Sequence, residues 1–171
     1  MSDTTEGASL NEQLLDCSRR NNVDLLQDVF TALDNDSEKI AELINHAKDP
    51  LGNTCLHLCC QYGSWDVLDQ LLDQEGGVEI DPINASDGDT PLHVAVKYAL
   101  DEPDHGTFIC ENLIECGADP RIRNKHKLKP LDLVHGNELE TLIDLLQSAE
   151  IAANAGPVEE PEDIVDDDDD E

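Results

Sequence analysis

The chain of 171 residues carries 40 Asp and Glu against 10 Lys and Arg, which gives a formal net charge of −30 at pH 7. This charge argues against nucleic-acid-binding and peripheral membrane proteins, because both need a cationic surface to meet phosphate or anionic lipid, and it favours a basic partner. Aromatic residues make up 3% of the chain, so its hydrophobic core must be aliphatic.

Residues 1–9 contain neither the basic nor the apolar segment of a signal peptide, and we expect them to be disordered. No apolar run in the chain approaches the roughly 20 residues of a membrane-spanning helix. We therefore expect a protein that is kept inside the cell, in the cytoplasm, with the nucleus as an additional location that the sequence leaves open. Because such compartments keep thiols reduced, the six cysteines are predicted to be free rather than to form a disulfide framework.

Residues 10–48 predict two amphipathic helices followed by a short third one. Aliphatic side chains recur at helical spacing from Leu10 to Leu15 and from Val23 to Leu33, and Glu38 to Asn45 form the third segment. The segment lacks the motif that recurs further along the chain. A divergent first unit is expected of a stacked array, since a terminal unit needs a polar outer face.

One motif occurs twice in the next part of the chain, at an interval of 36 residues. The matching positions are Gly52, Thr54, Leu56 and His57 in the first copy and Gly88, Thr90, Leu92 and His93 in the second, where Pro91 precedes the leucine. A degraded third copy keeps only Pro130 and Leu131. Paired aliphatic residues follow each copy at spacings of three and four, which predicts a second helix in each unit.

This motif resembles the ankyrin repeat, whose period is near 33 residues and whose signature is Thr-Pro-Leu-His. The resemblance implies an all-α solenoid of about four helix-turn-helix units joined by β-hairpin-like turns. It also implies that His57 and His93 are structural and tie adjacent turns together. We predict a repeat domain over residues 10–150, with units at 10–48, 49–81, 82–120 and 121–150. The six extra residues of the third unit are expected in an acidic, solvent-facing insertion within 100–107.

Half of the basic side chains lie at alternate positions of one short stretch: Arg121, Arg123, Lys125, Lys127 and Lys129. In an extended hairpin, this alternation would place all five cations on one side. There they could bind the chain's own acidic tail, an acidic partner or RNA. A solvated hairpin without a partner is the alternative.

Residues 151–171 contain ten acidic and no basic side chains, which predicts a disordered acidic tail. Such a tail either keeps the protein soluble or attracts a basic partner. The composition is compatible with both roles.

No motif in the chain predicts an enzyme. The Gly76-Gly77 pair lacks the Lys and Ser or Thr of a phosphate-binding loop, and no nucleophile motif is present. Cys55, Cys59 and Cys60 next to His57 resemble a zinc cluster. However, they fall on one short helix without a second ligand pair, so small core residues explain them better. We expect no catalytic residue, no cofactor and no metal.

The resemblance to ankyrin proteins implies a concave binding face built from the turn tips and the first helices. The candidate partner-binding residues on it are Asp49, Asn53, Tyr62, Trp65, Asp87, Asp89 and Tyr98, together with Arg121, Arg123, Lys125 and Lys127 of the basic stretch. For Trp65 and the two tyrosines, packing against a neighbouring repeat is the alternative.

The chain is also similar to small ankyrin proteins with acidic ends that act as chaperones of newly made ribosomal proteins. The similarity lies in the helix at 28–33, the turn at 118–125 and the acidic tail. It implies a monomeric protein that masks a basic client, without direct nucleic-acid binding and without a membrane. The alternative is a regulatory adaptor whose concave face binds a folded protein, with the tail serving only solubility.

Overall fold

The computed structural model describes residues 9–136 and 139–155, and within these ranges every regular element is a helix. The helices are α1 (Leu10–Arg20), α2 (Val23–Ala32), α3 (Ser37–His46), α4 (Cys55–Tyr62), α5 (Trp65–Leu72), α6 (Pro91–Asp101), α7 (Pro103–Glu115), a single-turn 3-10 helix (Pro130–Leu133) and α8 (Glu140–Asn154). The prediction of an all-α fold is confirmed. Residues 1–8 and 156–171, which include most of both segments predicted to be disordered, lie outside the described residues.

The helices stack in two layers. In the inner layer, α4 lies between α1 and α6, and α6 contacts the 3-10 helix, while α2, α5, α7 and α8 form the outer layer. The core between the layers is aliphatic, as the composition requires. Its fully buried members include Leu14, Leu26, Leu56, Leu68, Leu92, Ile109, Leu113, Leu142 and Leu146.

All six cysteines are free thiols, and Cys116 alone among them is exposed. Burial raises the pKa of Cys17 and of Cys110 to about 12. A thiol with such a pKa stays protonated at neutral pH, and the thiolate is the reactive form. The buried cysteines therefore serve as small apolar core residues.

Helix α3 packs on the long turn that follows α5. The Asn45 side chain donates to the Gly77 carbonyl (2.9 Å) and accepts from the Glu79 amide (2.8 Å). Gly76 lies so close to this helix that an added Cβ would sit 2.3 Å from the Ser37 carbonyl oxygen. The additional helix of the first unit thus fixes the turn of the second.

The expectation of a solvent-facing insertion within residues 100–107 is wrong in one respect. The extra residues lengthen two helices, and Glu102 alone separates α6 from α7. Gly106 is buried against α6, where an added Cβ would lie 2.4 Å from the Cα of Ala99. Small residues at both positions let the helices meet closely, while the acidic side chains of Asp101 and Asp104 remain exposed.

The fourth unit departs most from the others. Its first helix is the single 3-10 turn, because the Thr and His that begin α4 and α6 are missing there. Its second helix, α8, continues to Asn154 and so extends beyond residue 150, where we placed the end of the domain.

Candidate protein-binding groove

Three connecting turns, at residues 49–53, 84–89 and 124–128, join the units and have the same construction. In each, a backbone amide closes the turn on a carbonyl, at 3.0 Å in the first two turns and 2.9 Å in the third. Each also begins with an Asp or Asn whose side-chain oxygen accepts two amides of its own turn: Asp49, Asn84 and Asn124. These side chains mimic a backbone turn and give the loop a defined shape.

A polar ladder connects the three turns. The Asn84 side chain donates to Asn53 Oδ1 (2.9 Å), and the Asn124 side chain donates to Asp89 Oδ1 (2.9 Å). All four side chains are buried, so each needs these partners to offset the loss of water. Backbone bonds from Ala85 to the first turn and from Lys125 to the second run alongside the ladder.

Two histidines add a second set of links. Nε2 of His57 lies 2.7 Å from the Asp89 carbonyl oxygen, and Nε2 of His93 lies 2.8 Å from that of Leu128. On the other side of each ring, Nδ1 accepts the amide of the helix-capping residue, Thr54 or Thr90. The neutral imidazole with its proton on Nε2 satisfies both bonds, and burial lowers the pKa of both rings.

Gly52 and Gly88 allow the turns to approach one another. Both have positive φ angles, +82° and +69°. An added Cβ would lie 2.5 Å from the Ala85 amide at the first position and 3.0 Å from the Lys125 amide at the second. Any other residue would be strained in conformation and would push the turns apart.

The structure corrects two of the predicted partner-binding residues. Asn53 is buried and Asp89 is 1% exposed, because both are members of the ladder. Asp49 is half-buried and directs both carboxylate oxygens into its own turn. These three polar side chains, which the sequence suggests as partner contacts, instead hold the connecting turns in shape. Among the predicted turn carboxylates, Asp87 keeps substantial exposure.

A groove runs between the connecting turns and the inner helices. One cavity of about 370 Å³ lies between the turn at 84–89 and helices α4 and α6, and it is lined by Leu51, Gln61, Asp87, Lys97, Tyr98 and Asp101, among others. A second cavity of about 610 Å³ lies between α1 and the approach to the first turn, lined by Glu12, Asp16, Arg19 and Lys48 among others. The turn at 49–53 contributes to both cavities.

The groove combines exposed apolar side chains with an excess of acid. Leu51 is 57% exposed and lines it, and two further exposed apolar side chains, Ile83 (59%) and Tyr62 (51%), lie at a turn and at the end of α4. Lys97, which lines the smaller cavity, pairs with Asp89 at 2.6 Å and with Asp87 at 3.7 Å. Asp101 adds a further negative charge beside this network, with no ion pair to any of the described residues.

Trp65 packs between repeats. Its ring meets Phe108 of α7 edge-on, with ring centroids 4.7 Å apart. His105 extends this contact, since its Nε2 lies 2.9 Å from the Gly63 carbonyl oxygen, and Tyr98 packs edge-on against its ring. Tyr98 lies within α6 and lines the groove. Tyr62 is the last residue of α4.

The prediction that five cations share one side of a hairpin is wrong. Lys127 has a φ of +66°, so the chain reverses there and the alternation is broken. Arg123 donates to the Lys127 carbonyl (3.0 Å), whereas Lys125 points back to the carbonyl of Ala85 in the preceding turn.

The two outer cations of the stretch contact α8. Lys129 pairs with Glu150 at 2.8 Å, and Arg121 donates to the Ala153 carbonyl at 3.2 Å. Arg121 also binds Asp119, and this hydrogen bond lowers the pKa of that carboxyl. The first and last cations of the basic stretch therefore both anchor the C-terminal end of α8.

Within residues 9–136 and 139–155, no group of three or more His, Cys, Asp or Glu side chains is arranged to hold a metal ion. No helix in the same ranges has the length and apolar character needed to cross a bilayer.

Comparison with known families gives a match to ankyrin repeats, in three copies, over residues 14–124. The chain belongs to the ankyrin repeat family. The fourth unit lies almost wholly outside the matched residues, which agrees with its shortened first helix. Ankyrin repeats mediate protein–protein interaction, so the groove is part of a protein-binding scaffold.

Individual relatives support the same assignment. The ankyrin repeat-containing protein YGL242C of Saccharomyces cerevisiae is 69% identical over 151 residues, which cover 88% of this chain and 83% of the relative. Oxysterol-binding protein-related protein 1 of Rattus norvegicus is 41% identical over 36% of this chain and 6% of its own. The NAD-dependent deacetylase sir2B of Dictyostelium discoideum is 30% identical over 66% of this chain and 15% of its own. The matched region is only a small part of the rat and Dictyostelium proteins.

Proposed function

We propose that this ankyrin protein is a non-enzymatic chaperone or escort that masks a basic client, such as a newly made ribosomal protein. The observation that carries the proposal is the acidic groove, in which apolar turn residues lie beside carboxylates. Leu51 offers apolar contact, while Asp87 and Asp101 offer negative charge, in a chain whose net charge is −30. A basic client would be attracted over a distance and then held at close range.

The proposed mechanism is masking. Carboxylates of the groove and of the acidic C-terminal segment would neutralise Lys and Arg side chains of the client, which would keep the client from binding RNA prematurely and from aggregating. Because the phosphates of ribosomal RNA bind the same Lys and Arg side chains, ribosomal RNA could displace the carboxylates and release the client. We propose that the protein acts as a monomer, in the cytoplasm and also in the nucleus, without binding nucleic acid itself.

The test is affinity capture from a cell lysate with the full-length chain, followed by mass spectrometry. We expect captured proteins to be enriched in basic ribosomal proteins and to be lost as salt increases. The variant Asp87→Asn with Asp101→Asn should capture less. Its matched control, Asp69→Asn with Asp73→Asn, removes two exposed carboxylates, one in the outer helix α5 and one at its C-cap, and should capture as much as the native chain.

A second candidate, a regulatory adaptor that binds one folded protein, is favoured by the exposed apolar residues Leu51, Ile83 and Tyr62. In that case the captured protein would be neutral or acidic and its retention would resist salt. Leu51→Ser with Ile83→Ser would then abolish capture, whereas Asp87→Asn with Asp101→Asn would leave it unchanged. That pair of results would overturn the chaperone proposal.

A further inference from the structure

Three cations at the last connecting turn have no carboxylate partner among the residues that the structure describes. Arg123 and Lys125 bond only to main-chain carbonyls, and the Lys127 side chain makes no bond to the described residues. By contrast, ion pairs to carboxylates hold Arg20, Lys39, Lys97, Arg121 and Lys129. We call Arg123, Lys125 and Lys127 the cationic turn.

The end of α8 lies at the base of the cationic turn. The Arg121 guanidinium donates to the Ala153 carbonyl at 3.2 Å, and Lys129 pairs with Glu150 at 2.8 Å. The chain that follows α8 carries ten acidic side chains between 159 and 171 and no basic ones. The most acidic part of the sequence therefore starts next to its most cationic turn.

Chain length permits contact between the two. An extended chain spans at most about 3.6 Å per residue, so the four steps from Ala155, the C-cap of α8, to Glu159 cover up to about 14 Å. The interval from Arg121 to Lys125 covers at most about 14 Å on the same basis. The acidic segment, which adds twelve residues beyond Glu159, is therefore long enough to reach the turn while α8 stays helical.

We propose that the acidic segment 159–171 binds the cationic turn of its own chain. Tethering gives the segment an effective concentration on the order of millimolar, which favours it over separate polyanions such as RNA. The contact is electrostatic and exposed, so it weakens as salt increases. It forms without a client and does not rest on the proposed function. If that function holds, a basic client competes with the turn for the same carboxylates.

The test uses full-length protein labelled with ¹⁵N, without any client. One variant carries amides in place of all ten carboxylates of 159–171, so its length is unchanged. At low salt, we expect the backbone amide signals of residues 123–129 to differ between this variant and the native chain. The difference should disappear in about 0.5 M NaCl, where the screening length is only a few ångström. It should not depend on protein concentration, because the contact lies within one chain.

A matched pair of variants separates a local effect from a general loss of charge. Arg123→Gln with Lys127→Gln removes two cations of the turn, and Arg19→Gln with Lys48→Gln removes an arginine and a lysine that also lack a carboxylate partner in the described residues. In the first double variant, salt should shift the signals of the acidic segment less than in the native chain, because Lys125 is then the one cation left in the turn. In the second pair, the salt response should equal that of the native chain.

Zero-length carbodiimide cross-linking gives an independent readout, since it joins a lysine only to a carboxylate in contact. Cross-links from Lys125 or Lys127 to 159–171 are expected at low salt, with a several-fold loss at high salt.

Identical amide signals of residues 123–129 in the native chain and the amide variant would overturn the proposal. So would signal changes that grow with protein concentration, which would indicate contact between copies. RNA binding at the turn of the native chain would assign the site to nucleic acid instead. None of these results bears on client capture, so the two proposals fail separately.

Discussion

Nε2 of His57 lies 2.7 Å from the main-chain oxygen of Asp89, so a side chain at the start of one repeat holds the connecting turn of the next. His93 makes the same bond to Leu128. Both rings accept at Nδ1 and donate at Nε2, which only the neutral imidazole can do. The stability of the stack is thereby linked to proton binding.

The first prediction concerns pH. Burial lowers the pKa of His57 and His93, so between the folded and unfolded pKa values the unfolded chain binds more protons. The free energy of unfolding should therefore fall as pH decreases from about 7.5 to 5.5. The double variant His57→Gln with His93→Gln should show a smaller slope in urea titrations across this range. Asp81, whose pKa is raised by burial, acts in the opposite direction and at lower pH.

An equal slope in the double variant and the native chain would contradict this assignment. His46 provides a control, because its side chain is exposed at the end of α3 and, within the described part of the chain, bonds to the Glu42 carbonyl of its own helix. His46→Gln should leave the slope close to native.

The second prediction concerns the polar ladder. Asn84→Ala removes the acceptor of two amides, at Asp87 and Asp89, and the donor to Asn53. Because these groups are buried or half-buried and would lose their partner, we expect a destabilisation of about 3 kcal/mol in chemical unfolding. Asn11→Ala, at an exposed position of α1, should change stability by less than about 0.5 kcal/mol. Near-equal stabilities would mean that the ladder contributes little.

The third prediction concerns the helix contact at Gly106. An alanine inside a helix normally stabilises it by about 1 kcal/mol relative to glycine. Here the new Cβ would lie 2.4 Å from the Cα of Ala99, so we expect Gly106→Ala to destabilise the protein by about 2 kcal/mol. Ala99→Gly should not rescue it, since the clash with the main chain remains. A raised melting temperature for Gly106→Ala would refute the close approach.

The fourth prediction concerns Trp65 and Phe108. A double-mutant cycle with Trp65→Ala and Phe108→Ala should give a coupling energy of about 1 kcal/mol, as edge-on aromatic pairs do. Both single variants should keep native partner capture at a temperature where they are folded. Loss of capture in Trp65→Ala alone would instead make this tryptophan a partner contact.

The repeat motif made the core of the fold predictable, because Thr54, His57, Thr90 and His93 occur at a fixed interval and have the roles of cap and link. The polar ladder was missed. A signal exists for the turns that carry it, since an Asp or Asn stands five or six residues before each helix cap, at Asp49, Asn84 and Asn124. The composition of a turn does not show which of its carboxylates bonds to the turn itself, as Asp49 does, and which is exposed to a partner, as Asp87 is.

The basic stretch and the insertion were mispredicted for related reasons. Alternation of cations implies one face only in a straight strand, and the left-handed conformation of Lys127 is a local backbone event that residue type does not reveal. The acidic composition of the insertion indicates a segment that faces solvent. The small residues Ala99 and Gly106 instead allow two longer helices to pack.

The third residue of the inner helix is histidine in two units and Asp132 in the last. Asp132 still accepts the Lys129 amide at 2.9 Å and so caps its own short helix. An ionised carboxylate has no proton to offer to a further turn. A further repeat added after the last unit would therefore lack the side-chain donor that His57 and His93 supply to the turns that follow them. Asp132 would have to be replaced by histidine to provide that hydrogen bond.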